Sequence, residues 1–173
     1  AFAAPATPVP LPAAAGLPDA SDTSDALRPL PATGYTWQPE LAPQGPVLVL
    51  VSLSEQRARV YRNGVRIAEA SVSTGRPGYE TPPGVYTILQ KAREHRSNLY
   101  DDAPMPFMQR LTWTGIALHE GALPGYPASH GCVRLPAGFA EALFGLTTRG
   151  MTVVIVDQAE GPALLAAPPA SPP

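Results

Sequence analysis

Asn63 and Gly64 stand between two strand-like runs, and no other feature of the sequence limits the possible folds as strongly. Both residues tolerate positive φ, so Asn-Gly flanked by β-forming segments reads as a two-residue hairpin turn. The run before it, "QRARVYR", alternates in polarity, and "VRIAEASVST" returns after it. Upstream, "VLVLVSL" is an unbroken β-branched and leucine run of the kind a buried strand needs. A sheet therefore begins near Pro46.

The remaining elements follow from shorter signals. "TGRPGYETPPG" is loop, "VYTILQ" at 85–90 predicts a strand, and residues 91–110 show no period. That long loop carries Tyr100, Met105, Phe107 and Met108, and loops of this length inside a compact domain usually bind or cover something. "LTWTGIALH" at 111–119 predicts a strand ending on His119. Pro136 suits a first helical position, with Phe139, Ala140, Leu143 and Phe144 as the apolar face of a short helix ending near Gly145. "MTVVIV" at 151–156 predicts a last core strand. The expectation is a mainly β domain with one or two short helices over residues 46–158, and 173 residues allow one core of that size.

The flanks differ in composition. Of 23 prolines, ten lie in residues 1–46 and five in 159–173, so both ends read as segments outside the core. Residues 1–45 are expected to form a Pro/Ala-rich, largely irregular arm, with a short helical turn near Ser24–Leu27. It is either a bare linker or an arm packed on the domain, with Tyr35 and Trp37 as its anchors. Residues 159–173 are a Pro/Ala-rich tail. The net charge of −2 comes without a basic run or aromatic-interleaved Lys/Arg patch, which argues against nucleic acid. The longest apolar run, "PVLVLVSL", has strand length and not membrane-span length. The Ala-rich start "AFAAPATP" suits the mature end left by signal-peptide cleavage, so export is expected.

Chemistry concentrates in "HEGALPGYPASHGCVRLP", residues 119–136, which holds two of the three histidines and the only cysteine. A thiol serves catalysis as thiolate, and a lone cysteine is otherwise an inert buried residue. Three features favour catalysis: His119 ends an apolar strand, His130 and Gly131 directly precede Cys132, and a helix begins just downstream. A helix N-terminus favours an anion, and an imidazole can take the proton. Gly131 permits a tight turn that aims backbone N–H groups at one point, as an oxyanion hole requires. A zinc site is disfavoured, because "HEGAL" lacks the second histidine of H-E-x-x-H and there is no second cysteine. No metal or other cofactor is expected. A papain-like peptidase places Cys before His, the reverse of the order here.

"SHGCVRLP", the "LH" strand end, "VSTGRPGYETPPGVYTI" and "VLVLVSLSEQRARVYRNG" together closely resemble the catalytic domain of the L,D-transpeptidases of bacterial cell walls, over about residues 47–157. The resemblance implies an L,D-transpeptidase-like β-sandwich or barrel located in the periplasm or cell envelope of a bacterium. It matches Cys132 to the acylated nucleophile, His119 to the general base, and Ser129, His130, Gly131 and Arg134 to the signature around the thiol. The N–H groups of Gly131 and Cys132 would hold the oxyanion, and His130 would fix the loop rather than act as base. The implied substrate is the peptidoglycan stem peptide: an L-to-D bond is cut, the acyl group is held as thioester, and an amine accepts it in a 3-3 or 1-3 cross-link. A cysteine hydrolase trimming stems or releasing wall-attached proteins is the alternative.

For substrate recognition, Ser129 and His130 are expected among the substrate contacts, Arg134 is the expected carboxylate partner, Asp101 and Asp102 could meet an ammonium, and Tyr100, Phe107, Met108 and Trp113 would wall the cleft. Arg76 and Tyr79 read as loop surface, and the protein is expected to be a monomer. Two departures from the family pattern stand out. Only twelve residues separate His119 from Cys132, which shortens the loop beside the cleft. Glu120 follows His119 where the family commonly has a small residue, so either its carboxylate orients the base or it faces water.

Overall fold

The computed structural model describes residues 34–158, so the helical turn expected near Ser24–Leu27 and the 159–173 tail lie outside the described residues. Along the chain come β1 (Tyr35–Trp37), β2 (Val47–Ser52), β3 (Arg57–Arg62), β4 (Val65–Ser71), β5 (Gly84–Thr87), β6 (Gln90–Ala92), β7 (Met108–Arg110), β8 (Ala117–Glu120), β9 (Val133–Leu135), helix α1 (Ala137–Leu146) and β10 (Thr152–Val156). They form a six-stranded sheet in the order β1-β4-β3-β2-β10-β5 and a four-stranded sheet in the order β6-β7-β8-β9. The protein is mainly β, as expected, with one α-helix among the described residues.

The Asn-Gly turn sits where the sequence puts it. Asn63 (φ 52°) and Gly64 (φ 76°) join β3 to β4, with Arg62 opposite Val65. β2 runs antiparallel to β3, and β10 lies along the other edge of β2 in parallel, Val153 beside Val49. β1 adds to β4 antiparallel, Thr36 opposite Glu69. Tyr35 and Trp37 pack edge-on against Phe139 of α1 at ring separations of 6.0 and 5.8 Å. The last part of the proline-rich arm is thus built onto the domain.

The main core fills the space between the six-stranded sheet, α1 and the second sheet. Val49, Val60, Ile67 and Ile155 meet Phe139, Leu143, Leu118, Val133 and Leu135 there, all buried. Each such side chain contributes about 1.5–3 kcal/mol relative to exposure. Phe139, Ala140 and Leu143 form the buried stripe of α1, while Phe144 lies beside it against Phe107. The end of the helix is capped from β6: Lys91 Nζ donates to the carbonyls of Phe144 and Thr147, each at 2.5 Å.

On the other face of the large sheet, Glu69 is shared by three arginines. It pairs with Arg57 at 2.5 Å, Arg66 at 3.2 Å and Arg59 at 3.4 Å, and Arg59 also reaches Glu55 at 2.8 Å. Arg59 and Glu69 face each other across β3 and β4 and are both buried, so each needs the other's charge.

Three expected elements come out differently. "VYTILQ" is not one strand: β5 ends at Thr87, Ile88 turns into the core, and β6 starts at Gln90 in the other sheet. The long loop is shorter than expected, because Ala92 pairs with Met108 and only residues 93–107 lie between these strands. "LTWTGIALH" folds back on itself: β7 stops at Arg110, and the Leu111 N–H donates to the Ile116 carbonyl at 2.8 Å across the turn before β8. β9, three residues long, gives no periodic signal of its own.

Candidate active site

The site grows out of the parallel pairing of β8 and β9, in which Leu118, His119 and Glu120 lie beside Val133, Arg134 and Leu135. Side chains alternate across a sheet, so Leu118, Val133 and Leu135 go into the core and His119 and Arg134 to the opposite face. The same alternation places Ala117 and, just before β9, Cys132 on that face. His119 and Cys132 therefore share one surface of two adjacent strands. Parallel neighbours need a crossover of a dozen or more residues, and the twelve between His119 and Cys132 are near that minimum.

Three buried hydroxyls lock the segment before the thiol. Ser129 Oγ donates to the Cys132 carbonyl at 2.5 Å and accepts from the Gly131 N–H at 3.1 Å. Thr81 Oγ1 donates to the Gly131 carbonyl at 2.7 Å and accepts from the Gly75 N–H at 2.9 Å. Ser73 Oγ donates to the Tyr126 carbonyl at 2.8 Å and accepts from the Ala128 N–H at 3.2 Å. Ser73 also exchanges backbone bonds with Arg134, tying the continuation of β4 to β9. Gly131 has φ 125°, and a Cβ there would lie 2.8 Å from Ile116 Cδ1, so glycine is required at this turn. Ser129, expected among the substrate contacts, faces inward as a brace, and the Gly131 N–H is engaged by it. Ser73 and Thr81 were not singled out from the sequence, where they are hydroxyl residues in or beside a glycine- and proline-rich loop.

His119 is oriented by main chain. Its Nδ1 lies 2.6 Å from the Glu120 carbonyl, which can only accept, so Nδ1 carries the proton and Nε2 is left as a base. Burial holds the imidazole below the ordinary histidine range, partly opposed by that hydrogen bond and reinforced by Arg134 and His95. Burial also pushes the Cys132 thiol up, against the pull of the Ala117 backbone, Arg110 and Arg134. The thiol donates to the Gly115 carbonyl at 3.2 Å. Both groups are therefore neutral at rest, and the pair is set up for general-base deprotonation during attack.

Cys132 opens on a pocket of about 190 Å³. Of the residues expected to wall it, Tyr100, Met108 and Trp113 do so. Phe107, at φ 54°, turns instead onto Phe144, 5.7 Å away between ring centres. Tyr100 stacks on His130 at 4.3 Å, and His130 meets Tyr79 edge-on at 5.0 Å and Arg76 Nη2 at 3.3 Å. Arg76 and Tyr79 thus belong to a cluster with His130 that joins the 74–81 loop to the pocket wall. Asp102 pairs with Arg96 at 3.4 Å at the surface. Arg134 spends its fork on the crossover loop, donating to the carbonyls of Ala122 at 3.5 Å and Ala128 at 3.4 Å. The arginine that does line the pocket beside Cys132 is Arg110, which the sequence reading passed over.

The family model for YkuD, the L,D-transpeptidase catalytic domain, matches residues 46–156. No curated protein matches the chain. Among solved structures, an L,D-transpeptidase from Stackebrandtia nassauensis is similar at a TM-score of 0.60 and 31% identity, covering 64% of this chain and 55% of that one. One from Mycobacterium tuberculosis H37Rv is similar at a TM-score of 0.60 and 27% identity, over 64% and 57% of the two chains. L,D-transpeptidase 3 of Mycobacterium tuberculosis, in complex with a faropenem-derived adduct, aligns at a TM-score of 0.58 and 27% identity, over 63% and 59%. The matched region spans somewhat more than half the length of these relatives.

Proposed function

The chain belongs to the YkuD family of L,D-transpeptidase catalytic domains, and from that premise we propose that it is a peptidoglycan L,D-transpeptidase acting through a Cys132 thioester. The observation that supports this best is the shared face of β8 and β9, where a base with a fixed tautomer and the only thiol sit on adjacent strands, the thiol opening on a pocket. The catalytic unit is residues 46–158, with 1–45 and 159–173 as Pro/Ala-rich flanks, and it acts as an exported monomer in the cell envelope.

In the acylation step Cys132 Sγ attacks the carbonyl of an L-residue that precedes a D-residue, and its proton passes to His119 Nε2. The oxyanion is held by the Cys132 N–H, with Gly131 supplying the turn that aims it. Collapse breaks the C–N bond, the imidazolium returns its proton to the leaving amine, and the acyl group stays as thioester. An acceptor amine then loses a proton to Nε2 and displaces the thiolate, which recovers that proton. The new amide is a 3-3 or a 1-3 cross-link according to which L-to-D bond of the stem was cut.

Mass spectrometry of disaccharide-tetrapeptides incubated with the protein, beside Cys132→Ala, tests this reading. A Cys132-dependent dimer is expected, and its fragmentation separates the 3-3 from the 1-3 link. Shortened monomers alone would establish hydrolysis with water as acceptor, and an unchanged substrate would overturn the assignment.

A further inference from the structure

We propose that Arg110 selects the donor peptide by binding the α-carboxylate of the D-residue that follows the scissile bond, a role that rests on the transpeptidase reading above. The placement is direct. Arg110 is paired with Ala117 across β7 and β8, and Ala117 lies beside Cys132 in the continued register of β8 and β9. The three residues form one row across the sheet, on the face that carries the thiol. Two strand spacings put the Arg110 backbone roughly 10 Å from that of Cys132, a gap that a guanidinium and the residue next to an attacked carbonyl can span.

The charge of Arg110 is available. Nε donates to Gln90 Oε1 at 3.0 Å and the guanidinium lies 5.6 Å over the Trp113 ring, which together orient the fork. No carboxylate among the described residues pairs with it. The pocket lining holds Arg110 and His95 but no aspartate or glutamate, so its field suits an anion. Arg134 has its donors on the carbonyls of Ala122 and Ala128.

The substrate supplies a matching anion at either position. In a stem of L-Ala, D-Glu, a diamino acid and D-Ala, the D-Ala after the diamino acid ends in a free α-carboxylate. The D-Glu after L-Ala continues the chain through its γ-carboxyl and so also keeps a free α-carboxylate. An ordinary peptide has an amide carbonyl at this point and no charge. A planar fork beside the thiol would therefore read the feature that both L-to-D bonds share, and bidentate pairing would reward it.

Alkylation of Cys132 by iodoacetate and by iodoacetamide tests the anion site without requiring any transpeptidation. The ratio of the two rates cancels changes in thiol reactivity. In wild type this ratio should exceed that of a free small thiol, in Arg110→Gln it should fall about tenfold, and Arg110→Lys should keep part of it. An unchanged ratio in Arg110→Gln overturns the proposal. Donor kinetics then assign the ligand: stem tetrapeptide should outperform its D-Ala carboxamide, and Arg110→Gln should raise KM for the carboxylate donor about tenfold and erase the preference. A variant that lowers kcat equally for both donors while keeping their ratio would show Arg110 to be structural and also overturn the proposal. If the alkylation ratio responds but no donor is cross-linked or cut, the anion site stands and the transpeptidase reading fails.

Discussion

The two sheets of this domain are built on different terms. In the six-stranded sheet, β2, β3 and β4 are six, six and seven residues long and pair along their length, with one register shift at Val60–Tyr61 between β3 and β4. In the four-stranded sheet, β6, β7, β8 and β9 have only three or four residues each. Strands that short have little ladder to hold them, and here buried side-chain hydroxyls do the holding instead. Ser73, Thr81 and Ser129 each bond two main-chain groups in or against the segment that leads into Cys132. The long sheet supplies more buried apolar residues than the short one, and the short one the positions where chemistry happens, so substitutions in the two should separate stability from rate.

The sharpest separation is expected from Cys132→Ala. It should lower cross-linking by on the order of 10⁴-fold or more while circular dichroism and the unfolding midpoint stay close to wild type. Glu69→Ala is the converse. Stripping the shared carboxylate removes one counter-charge from Arg57, Arg59 and Arg66 together, leaves Arg59 with Glu55, and should cost about 3 kcal/mol in denaturant unfolding. Turnover per folded molecule should not change, and a large loss of kcat in that variant would break the division between the sheets.

Thr81→Val lies where the two halves join, and both readouts should move. Loss of the bonds to the Gly131 carbonyl and the Gly75 N–H should cost about 1–3 kcal/mol and lower kcat by about 10- to 100-fold through a displaced thiol. A smaller effect comes with pH. Only neutral His119 accepts a proton, and burial lowers its pKa, so the acid limb of kcat/KM should fall below the ordinary histidine range. The raised thiol pKa predicts that Cys132 alkylation by iodoacetamide keeps increasing through the ordinary cysteine range. A reactive plateau at neutral pH would reveal a preformed thiolate–imidazolium pair instead. Least of all should Gln109→Met matter: the Gln109 Nε2 is buried without a partner among the described residues, and Thr147 Oγ1 keeps its bond to the Leu143 carbonyl, so stability should change by under about 1 kcal/mol.

What could be read from the sequence follows the same division. The Asn63-Gly64 hairpin was legible because its cause is local, two residues that accept positive φ between β-forming runs. The strand VLVLVS was legible as well, but not its parallel partner about a hundred residues on. In the smaller sheet, "LTWTGIALH" hid a turn because Thr112, Trp113 and Thr114 are strand-forming types and the turn is closed by Gly115 at φ 115° and the Thr112 hydroxyl, and three-residue β9 is too short to show a period. Cys132 and His119 stood out by residue type and motif. The group that orients His119 did not, because it is the Glu120 carbonyl and every residue has one. Arg134 drew attention through its place in the signature, whereas Arg110 comes to the pocket only through the β7–β8 register.

β10 has a consequence for how the domain can be made. It is the last strand in sequence among the described residues, yet it lies inside the six-stranded sheet, between β2 and β5. Until residues 152–156 are available, β2 has an open edge and β5 has no neighbour in its sheet. A chain growing from its N-terminus can form the β2–β3–β4 meander early but cannot close its core, so folding waits on long-range contacts and is slow for a domain of this size. The thiol and its base therefore settle against a closed core only after residues 152–156 have been made and have paired with β2.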